Sequence, residues 1–423
     1  MDETQRMLIR GGVPLKGVIP ISGSKNLTLP AIAASLLTDD CVVLNNVPNL
    51  VDVHSSLELM EHLGVNISHI GAHSLKLLAS AIKTTEAPND IVQKMRSSIL
   101  VLGPLTAKFK KASVSLPGGC AIGARGVNLH IEALQALGAD VTFENGYIKT
   151  SVEKDLVGCD INFPIATVTG TENTLMAAAL ANGTTRIINA AMEPEVEAFA
   201  DLLNQMGAKI SGHGTSVITI DGVDELHGTT FDIMPDRVEA GTYAIAIAAT
   251  NGDAVLRNCR YNHLKSFFEI MSEVGVKIEE IDSGVRIYGR DNTINPVDVQ
   301  TAQYPGFPTD LQAQYVALMT ICGGVASVTE NIFENRFMHI PELVRMGANI
   351  AIYGRTAIIT GIEQLTGAHV MSTDLRASGS LIIAGLMASG ETIVNGLCHL
   401  DRGYENIENK LSGCGAIIER IAP

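Results

Sequence analysis

The stretch "HIEALQALGADVTFENGYIKTS", His130 to Ser151, contains the signals that predict the fold. Its first part places apolar residues at helical spacing between polar ones, which indicates a surface helix with one buried face. Gly138 follows, and a glycine after such a run is where a helix ends. The second part alternates apolar and polar residues around Asn145 and Gly146, which is typical of a β-hairpin with a type I′ turn.

Five other stretches repeat the order of amphipathic helix, glycine and short strand. They are "LELMEHLGVNI", "FADLLNQMGAKI", "FEIMSEVGVKI", "IPELVRMGANI" and "IENKLSGCGAII". The six glycines recur about every 70 residues, at Gly64, Gly138, Gly207, Gly275, Gly347 and Gly415. A regular period is the mark of a repeated structural unit, so we expect the same unit six times.

Each repeat also contains a second helix that is apolar on nearly every side. These helices are "LPAIAASLL", "RSSILVLGPL", "NTLMAAALANG", "TYAIAIAATNG", "LQAQYVALMTICGG" and "ASGSLIIAGLMASG". A helix of this kind is expected to be buried all round, and a predicted strand follows each one. The predicted α/β unit is therefore an inner helix, a strand, an outer helix and a hairpin.

Three such units around one core predict two similar domains, with helices at the centre and sheets outside. No Gly/Ser-rich or Pro-rich linker separates the domains, so we place their boundary near "FDIMPDRVE", Phe231 to Glu239. The first strand region, "LIRGGVPLKGVIPI", fits either domain.

Composition excludes several classes of protein. The chain has 423 residues and a formal net charge of −15, which opposes nucleic acid or an anionic membrane as a partner. Its seven cysteines are scattered without a CxxC pair, so neither a disulfide framework nor a zinc site is predicted, and Cys259 and His263 are interpreted as packing residues. No apolar run is long enough for a membrane span and no signal peptide is recognisable, so we expect a cytoplasmic protein.

Polar and charged residues gather at the N-terminal ends of the inner helices. They are Lys25, Asn26, Arg96, Thr169, Thr171, Arg237, Glu239, Asp310, Asp374 and Arg376. Helix capping explains some of the Ser, Thr and Asp residues in these segments. It does not explain Lys and Arg, because cations oppose the positive end of the helix dipole. Cations beside unpaired backbone N–H groups favour a shared anionic ligand instead.

A cysteine lies among glycines in "LPGGCAIGARGVNLH", Leu116 to His130. Cys120 on its own is consistent with a small buried apolar residue. Gly118, Gly119 and Gly123 favour an irregular loop, from which a thiol can reach a ligand. Both interpretations stay open at this level.

Seven motifs together resemble the enolpyruvyl transferase family, and within it the UDP-N-acetylglucosamine 1-carboxyvinyltransferases. They are "SGSKN", "LPGGCAIGAR", "PDRVEAGT", "YPGFPTDLQAQ", "IFENRFMHIPEL", "TDLRASGSL" and "DRGYENIENKL". The resemblance covers essentially the whole chain and implies a two-domain inside-out α/β barrel. It also implies one domain of residues 25–234, a second of residues 1–24 and 235–423, and an active site in the cleft between them.

The resemblance implies that phosphoenolpyruvate and UDP-N-acetylglucosamine are the substrates, without a cofactor, a metal or an obligate protein partner. Asp310 would accept the proton of the sugar hydroxyl, and Cys120 would supply a proton as general acid. Lys25, Arg125 and Arg402 would bind the phosphate and carboxylate of phosphoenolpyruvate, and Arg96 would lie near the diphosphate. The remaining substrate-binding residues would be Asn26, Gly126, Val127, Asn128, Leu129, Thr167, Val168, Ile332, Asp374 and Arg376.

Three positions depart from the family pattern. Gly126 and Asn128 replace a proline and an aspartate, and Ile165 stands where many relatives carry a lysine near the nucleotide. The loop after Arg125 is therefore expected to be more flexible than usual. A neighbouring Arg125 favours the thiolate of Cys120, whereas a general acid needs the thiol; bound substrate anions would reverse the shift.

The sequence disfavours two other functions. The related transferase that acts on shikimate 3-phosphate lacks the "PGGCAIGAR" loop, which disfavours it. A nucleotide-sugar sensor without activity is disfavoured because Lys25, Cys120, Asp310 and Arg402 are all retained.

Overall fold

A computed structural model describes residues 5–117, 122–123, 126–289 and 293–422. The chain divides into two compact units, which we call unit I and unit II. Unit I comprises Gly23–Cys120 and Arg125–Met234, and unit II comprises Met1–Ser22, Ala121–Ala124 and Pro235–Pro423. Each unit is described by itself.

The described residues form twenty-four β-strands. They are β1 (Arg6–Arg10), β2 (Lys16–Pro20), β3 (Cys41–Asn45), β4 (Asn66–Gly71), β5 (Ser74–Leu78), β6 (Glu86–Ala87), β7 (Lys111–Ser115), β8 (Asp140–Glu144), β9 (Tyr147–Ser151), β10 (Asp160–Asn162), β11 (Thr184–Ile188), β12 (Lys209–Ser211), β13 (Val217–Asp221), β14 (Thr229–Asp232), β15 (Asp253–Arg257), β16 (Ile278–Ile281), β17 (Gly284–Ile287), β18 (Val299–Gln300), β19 (Val325–Thr329), β20 (Asn349–Tyr353), β21 (Thr356–Thr360), β22 (His369–Met371), β23 (Glu391–Asn395) and β24 (Ile417–Ile421).

The α-helices alternate with these strands. They are α1 (Lys25–Ala34), α2 (Val51–Leu63), α3 (Asn89–Val92), α4 (Leu102–Phe109), α5 (Asn128–Ala136), α6 (Val168–Ala178), α7 (Pro194–Gln205), α8 (Arg237–Ala249), α9 (Lys265–Glu273), α10 (Gln312–Met319), α11 (Ile340–Arg345), α12 (Leu375–Met387), α13 (Leu397–Leu400) and α14 (Ile407–Ser412). Short 3-10 helices span Ser35–Leu37, Arg96–Val101, Tyr261–Leu264 and Thr309–Leu311.

Each unit contains three mixed sheets within the described residues. In unit I their strand orders are β14-β3-β5-β4, β6-β7-β9-β8 and β10-β11-β13-β12. In unit II they are β16-β17-β15-β2, β18-β19-β21-β20 and β22-β23-β1-β24. The strand after each inner helix pairs in parallel with one edge strand and antiparallel with a neighbour on its other side. The predicted repeat is confirmed, and the parallel edge strand adds to it.

The predicted helix ends and the predicted turn are also confirmed. All six repeat glycines have positive φ, between 94° and 108°, in the turns that follow the outer helices. Asn145 and Gly146 both have positive φ, at 53° and 82°, between β8 and β9. This combination is what a type I′ turn requires.

The N-terminal strands complete two sheets of unit II. β1 pairs antiparallel with both β23 and β24, so residues near the two chain ends share a sheet. β1 thereby occupies the position that the second hairpin strand has in the other repeats. β2 pairs in parallel with β15 and forms an edge strand. Both strands of the segment that fits either domain thus lie in unit II.

The inner helices form the cores of the two units. From Val238 to Ala249 every residue of α8 is buried, and α10 is buried along its whole length. Two inner helices differ from the expectation, because each begins with a 3-10 segment: Arg96–Val101 precedes α4 and Thr309–Leu311 precedes α10. No helix of the described segments is long and apolar enough to cross a membrane.

Substitutions at two repeat glycines distinguish the cost of backbone strain from the cost of a steric clash. A Cβ at Gly138 would meet no atom within 4 Å, whereas a Cβ at Gly64 would lie 2.7 Å from Lys83 N and 2.8 Å from Ala81 O. Gly138→Ala should cost about 1 to 2 kcal/mol from positive φ alone, and Gly64→Ala should cost clearly more. Thermal melts followed by circular dichroism measure both. Equal losses would contradict a clash at Gly64.

Candidate active site

Asp310, the predicted base, lies in unit II in the 3-10 helix directly before α10. Its Oδ1 accepts a hydrogen bond from Arg336 Nη2 at 2.7 Å, and its Oδ2 accepts one from Arg376 Nη2 at 2.9 Å. The arginine side chains are 4% and 5% exposed, but the Asp310 side chain is 27% exposed. The two guanidinium groups favour the ionised form of the carboxylate.

The N-terminus of α12 supplies two of the predicted site residues. Asp374 is the N-cap, and its Oδ1 accepts from Arg376 N at 2.9 Å and from Ala377 N at 3.0 Å. Arg376 follows in the first turn and reaches Asp310. Burial is the largest effect and opposes the charged form of Arg376, but Asp310, Tyr404 and Asp236 together outweigh it, and the pKa of the guanidinium is raised. The same short segment therefore provides both a cap and a buried cation.

Arg336 and Glu330 also contact the turn that carries Asp310, but neither residue was predicted individually. Arg336 Nη1 donates to Thr309 Oγ1 at 2.9 Å, and the Thr309 hydroxyl donates to Glu330 Oε2 at 2.9 Å. Glu330 Oε1 accepts from Ile332 N at 2.8 Å, which ties the predicted residue Ile332 to the turn that carries Asp310. The available signal was "IFENRFMHIPEL", which contains Arg336 and carries part of the family resemblance.

Two other charged residues have different surroundings. Arg402, a predicted phosphate ligand, is partly exposed in the turn after α13. Glu239 accepts from Lys410 Nζ at 2.6 Å and from Ser22 N at 2.7 Å. Burial raises the pKa of Glu239 to about 6 although Lys410 opposes the shift. Glu239 is thus a buried structural partner of Lys410.

Lys25 is the first residue of α1 in unit I. The Ser24 side chain caps this helix by accepting from Leu27 N. Lys25 Nζ lies 3.2 Å from Asp52 Oδ2, and their side chains are 10% and 5% exposed. Asp52 compensates the cost of burying a cation at a helix N-terminus. The neighbouring Asn26 is only partly buried.

Arg96 contacts the loop that contains the predicted nucleotide ligands. Its Nη2 donates to Gly126 O at 3.2 Å. Val127 and Asn128 follow in the loop and first turn of α5, and Leu129 packs into the core of unit I. Asn128 Nδ2 donates to Glu132 Oε1 at 3.2 Å, so the amide that replaces the usual aspartate has a partner on its own helix.

The N-terminus of α6 brings Thr167, Val168 and Thr169 together. Thr167 is the N-cap and accepts from Gly170 N. Thr169 Oγ1 lies 3.3 Å from His130 Nε2, while Nδ1 of this buried histidine lies 2.9 Å from Asn173 Nδ2. Ile165, which replaces the lysine of many relatives, is 58% exposed. Hydroxyl and backbone N–H groups therefore remain at this end of the helix, without a lysine at position 165.

Cys120 and Arg125 lie outside the described residues. Ile122 is described, and in unit II its carbonyl accepts from Asn335 N at 3.0 Å. Burial raises the pKa of Cys259 to about 12, and it also raises the pKa values of Cys159 and Cys414. These three thiols are therefore weak nucleophiles near neutral pH.

Comparison with known proteins identifies the family. A profile described as EPSP synthase (3-phosphoshikimate 1-carboxyvinyltransferase) matches residues 9–411. UDP-N-acetylglucosamine 1-carboxyvinyltransferase of Granulibacter bethesdensis is 54% identical over 418 residues, which cover 99% of this chain and 99% of that protein. The protein of the same name from Rhodospirillum centenum is 52% identical over 427 residues, covering 98% and 99%. The chain belongs to the UDP-N-acetylglucosamine 1-carboxyvinyltransferase family. The resemblance carried by the seven motifs is confirmed.

Solved structures of related enzymes have the same fold. The enolpyruvyl transferase NikO from Streptomyces tendae matches with a TM-score of 0.88 at 22% identity, covering 99% of both chains. EPSP synthase from Acinetobacter baumannii matches with a TM-score of 0.75 at 19% identity, covering 99% of this chain and 100% of that one. The predicted α/β fold class is thereby confirmed for this member of the family.

His339, a buried histidine near Asp374 and Arg336, allows a test of how stability depends on pH. Burial lowers the pKa of His339 to about 4, with Asp374 opposing the shift and Arg336 adding to it. In the unfolded chain the pKa is near 6.5. The stabilisation from the neutral ring is present above pH 6.5 and is lost as the pH falls toward 4, by about 2 kcal/mol at pH 5.

His339→Gln should therefore flatten the loss of stability between pH 6.5 and pH 5. His62→Gln, at an exposed histidine on α2, is the control and should leave the slope unchanged. Denaturant unfolding at several pH values measures the slope for each variant. An unchanged slope in His339→Gln would mean that this ring titrates normally in the folded protein.

Proposed function

We propose that this chain transfers the enolpyruvyl group of phosphoenolpyruvate to the 3′-hydroxyl of UDP-N-acetylglucosamine and releases phosphate, in the first committed step of peptidoglycan synthesis. The main support is identity above 50% over almost the full length of proteins named for this reaction. The paired arginines around Asp310 add chemical support, since they favour the ionised carboxylate that a general base needs. Both substrates are small soluble metabolites, so we also propose action in the cytoplasm.

The proposed mechanism is addition followed by elimination. The sugar hydroxyl adds to the central carbon of phosphoenolpyruvate and loses its proton to Asp310, while the methylene carbon gains a proton from Cys120. The tetrahedral intermediate then loses phosphate, which takes up the proton held by Asp310, and one methyl proton returns to the Cys120 thiolate, which restores the double bond. Neither step needs a redox cofactor, because no electrons leave the two substrates.

Residues of both units are assigned to the substrates in this proposal. Lys25, Arg125 and Arg402 bind the phosphate and carboxylate of phosphoenolpyruvate, and Arg96 lies near the diphosphate. The Thr167 and Val168 end of α6 suits the same diphosphate, because the first N–H groups of a helix are available to anions. Fixed donors of this kind stabilise developing charge more than water does. The remaining assigned residues are Asn26, Gly126, Val127, Asn128, Leu129, Ile332, Asp374 and Arg376.

Asp310→Asn tests the base. The amide keeps the shape and one acceptor oxygen but loses basicity, so turnover should fall by roughly 100 to 10,000-fold. The assay is phosphate release from phosphoenolpyruvate that depends on UDP-N-acetylglucosamine, with shikimate 3-phosphate as a control acceptor. Retention of more than half of wild-type turnover would remove Asp310 from the mechanism.

Asp253→Asn is the matched control for the lost ion pair. Asp253 accepts two hydrogen bonds from Arg286, both at 2.9 Å, on the strands β15 and β17. This variant also breaks an Asp–Arg pair but should keep near wild-type turnover. Melting temperatures of both variants show how much of each effect comes from stability.

Fosfomycin, an epoxide with a phosphonate group that mimics phosphoenolpyruvate, tests the reactivity of Cys120. A phosphonate bound by Lys25, Arg125 and Arg402 would place the epoxide near the sulfur, so Cys120 should be alkylated before any other cysteine. Cys120→Asp should not be alkylated but should keep activity, since a carboxylic acid also donates a proton. Cys120→Ala should neither be alkylated nor keep activity. Mass mapping after brief treatment in the presence of UDP-N-acetylglucosamine identifies the labelled peptide. A label on Cys41 or Cys159, with "LPGGCAIGAR" unmodified, would refute this role.

A further inference from the structure

Unit II contains a buried polar cluster that contacts Asp310. It is formed by Thr242 of α8, Gln314 of α10, Arg376 of α12 and Tyr404, which follows α13. We call it the Tyr404 cluster. Its members are 1%, 0%, 4% and 1% exposed, respectively. Buried polar groups are retained when their hydrogen bonds are satisfied, so the partners of each atom matter here.

The hydrogen bonds of the cluster have a fixed direction. The single hydroxyl hydrogen of Thr242 is donated to Val238 O at 2.9 Å. The Tyr404 hydroxyl lies 3.0 Å from Thr242 Oγ1 and must therefore be the donor in that pair. The lone pairs of the Tyr404 oxygen are then left for donors, and Gln314 Nε2 lies 3.1 Å away. The Arg376 guanidinium lies over the Tyr404 ring, 5.8 Å from the ring centroid.

Both donors of the cluster also contact Asp310. Arg376 Nη2 donates to the carboxylate at 2.9 Å, and Gln314 Nε2 donates to the backbone carbonyl of Asp310 at 3.0 Å. One contact orients the side chain, and the other holds the 3-10 turn that carries it. Tyr404 thus contacts both residues that locate Asp310, since its hydroxyl oxygen accepts from Gln314 and its ring lies under the guanidinium of Arg376.

The packing of α12 leaves space for this hydroxyl. A Cβ at Gly379 would lie 2.7 Å from the Tyr404 oxygen and 3.1 Å from its Cζ. Glycine at this position costs helix stability, because alanine is the better helix former. The atom closest to that missing Cβ is the hydroxyl oxygen that accepts from Gln314.

We propose that Tyr404 is a positioning residue for enolpyruvyl transfer: its hydroxyl holds Gln314, its ring packs against Arg376, and through these two residues it positions the carboxylate of Asp310. Tyr404 itself does not need to touch a substrate. This inference rests on the proposed function, and it assigns to Tyr404 a part in the reaction beyond packing.

Tyr404→Phe is the main test, with Tyr315→Phe as the matched control. Tyr315 is also fully buried, lies on α10, and donates its hydroxyl to Val297 O at 2.8 Å, outside the Tyr404 cluster. Tyr404→Phe should lower kcat by about tenfold or more while KM for UDP-N-acetylglucosamine stays within about threefold of wild type. Tyr315→Phe should affect melting temperature but leave kcat near wild type.

The pH profile separates positioning from packing. Without the hydroxyl, Gln314 holds the turn of Asp310 less firmly, so the carboxylate meets Arg376 less well and the acidic limb of kcat should move upward by about one pH unit in Tyr404→Phe. Loss of packing alone would not move that limb. An acidic limb and a kcat equal to those of Tyr315→Phe would overturn the proposal.

A double mutant links the effect to Asp310. If Tyr404 acts through Asp310, adding Tyr404→Phe to Asp310→Asn should cause no further loss of turnover, since the effects share one route. A full additional tenfold loss would refute that route. A wild-type protein without phosphate release dependent on UDP-N-acetylglucosamine would instead refute the proposed function.

Two further variants keep the test decisive if Tyr404→Phe folds poorly. Thr242→Val keeps the phenol but removes the acceptor of its hydrogen, and Gly379→Ala displaces the hydroxyl without removing it. Both should lower kcat and shift the acidic limb in the same direction as Tyr404→Phe. Folded proteins with unchanged kcat and pH profile would overturn the inference.

Discussion

Each inner helix of this chain is buried, so its terminal N–H groups must find hydrogen-bond partners inside the protein. Oxygen atoms of Ser24, Thr167, Asp236 and Asp374 fill this role at four of these helices. Capping therefore accounts for the oxygen-bearing residues at the helix ends. The cations in the same segments need a different compensation, and in both units that compensation is a carboxylate: Lys25 pairs with Asp52 in unit I, and Arg376 pairs with Asp310 in unit II.

The cost of burying charge connects the core to the chemistry. Arg336 and Arg376 are almost fully buried and share the single carboxylate of Asp310, which stays partly exposed. A carboxylate that two buried cations keep ionised, and that stays partly exposed, is suited to accept a proton. The Tyr404 cluster continues these contacts into the core, because the guanidinium that binds the carboxylate packs against the ring of Tyr404.

Local features of the fold were predictable because their causes are local. The turn at Asn145 and Gly146 and the helix ends at the repeat glycines depend on backbone angles that few other residues adopt. Asp310 and Arg376 were predictable as site residues from their motifs. Arg336, His339 and Tyr404 were not singled out, because each looks like an ordinary member of its segment until its partners are known. Thr242 and Tyr404 are 162 positions apart, and no periodicity relates them.

The sequence by itself determined the repeated unit of inner helix, strand, outer helix and hairpin, since hydrophobic periods of 3.6 and 2 residues are written directly into it. It also determined the family, through motifs spread over the whole chain. Only the tertiary structure decided which strands share a sheet, such as β1 with β23 and β24, because backbone hydrogen bonds carry no residue code for their partner. It likewise decided which charges meet at Asp310, since Coulomb and hydrogen-bond energies depend on distances in space and not along the chain.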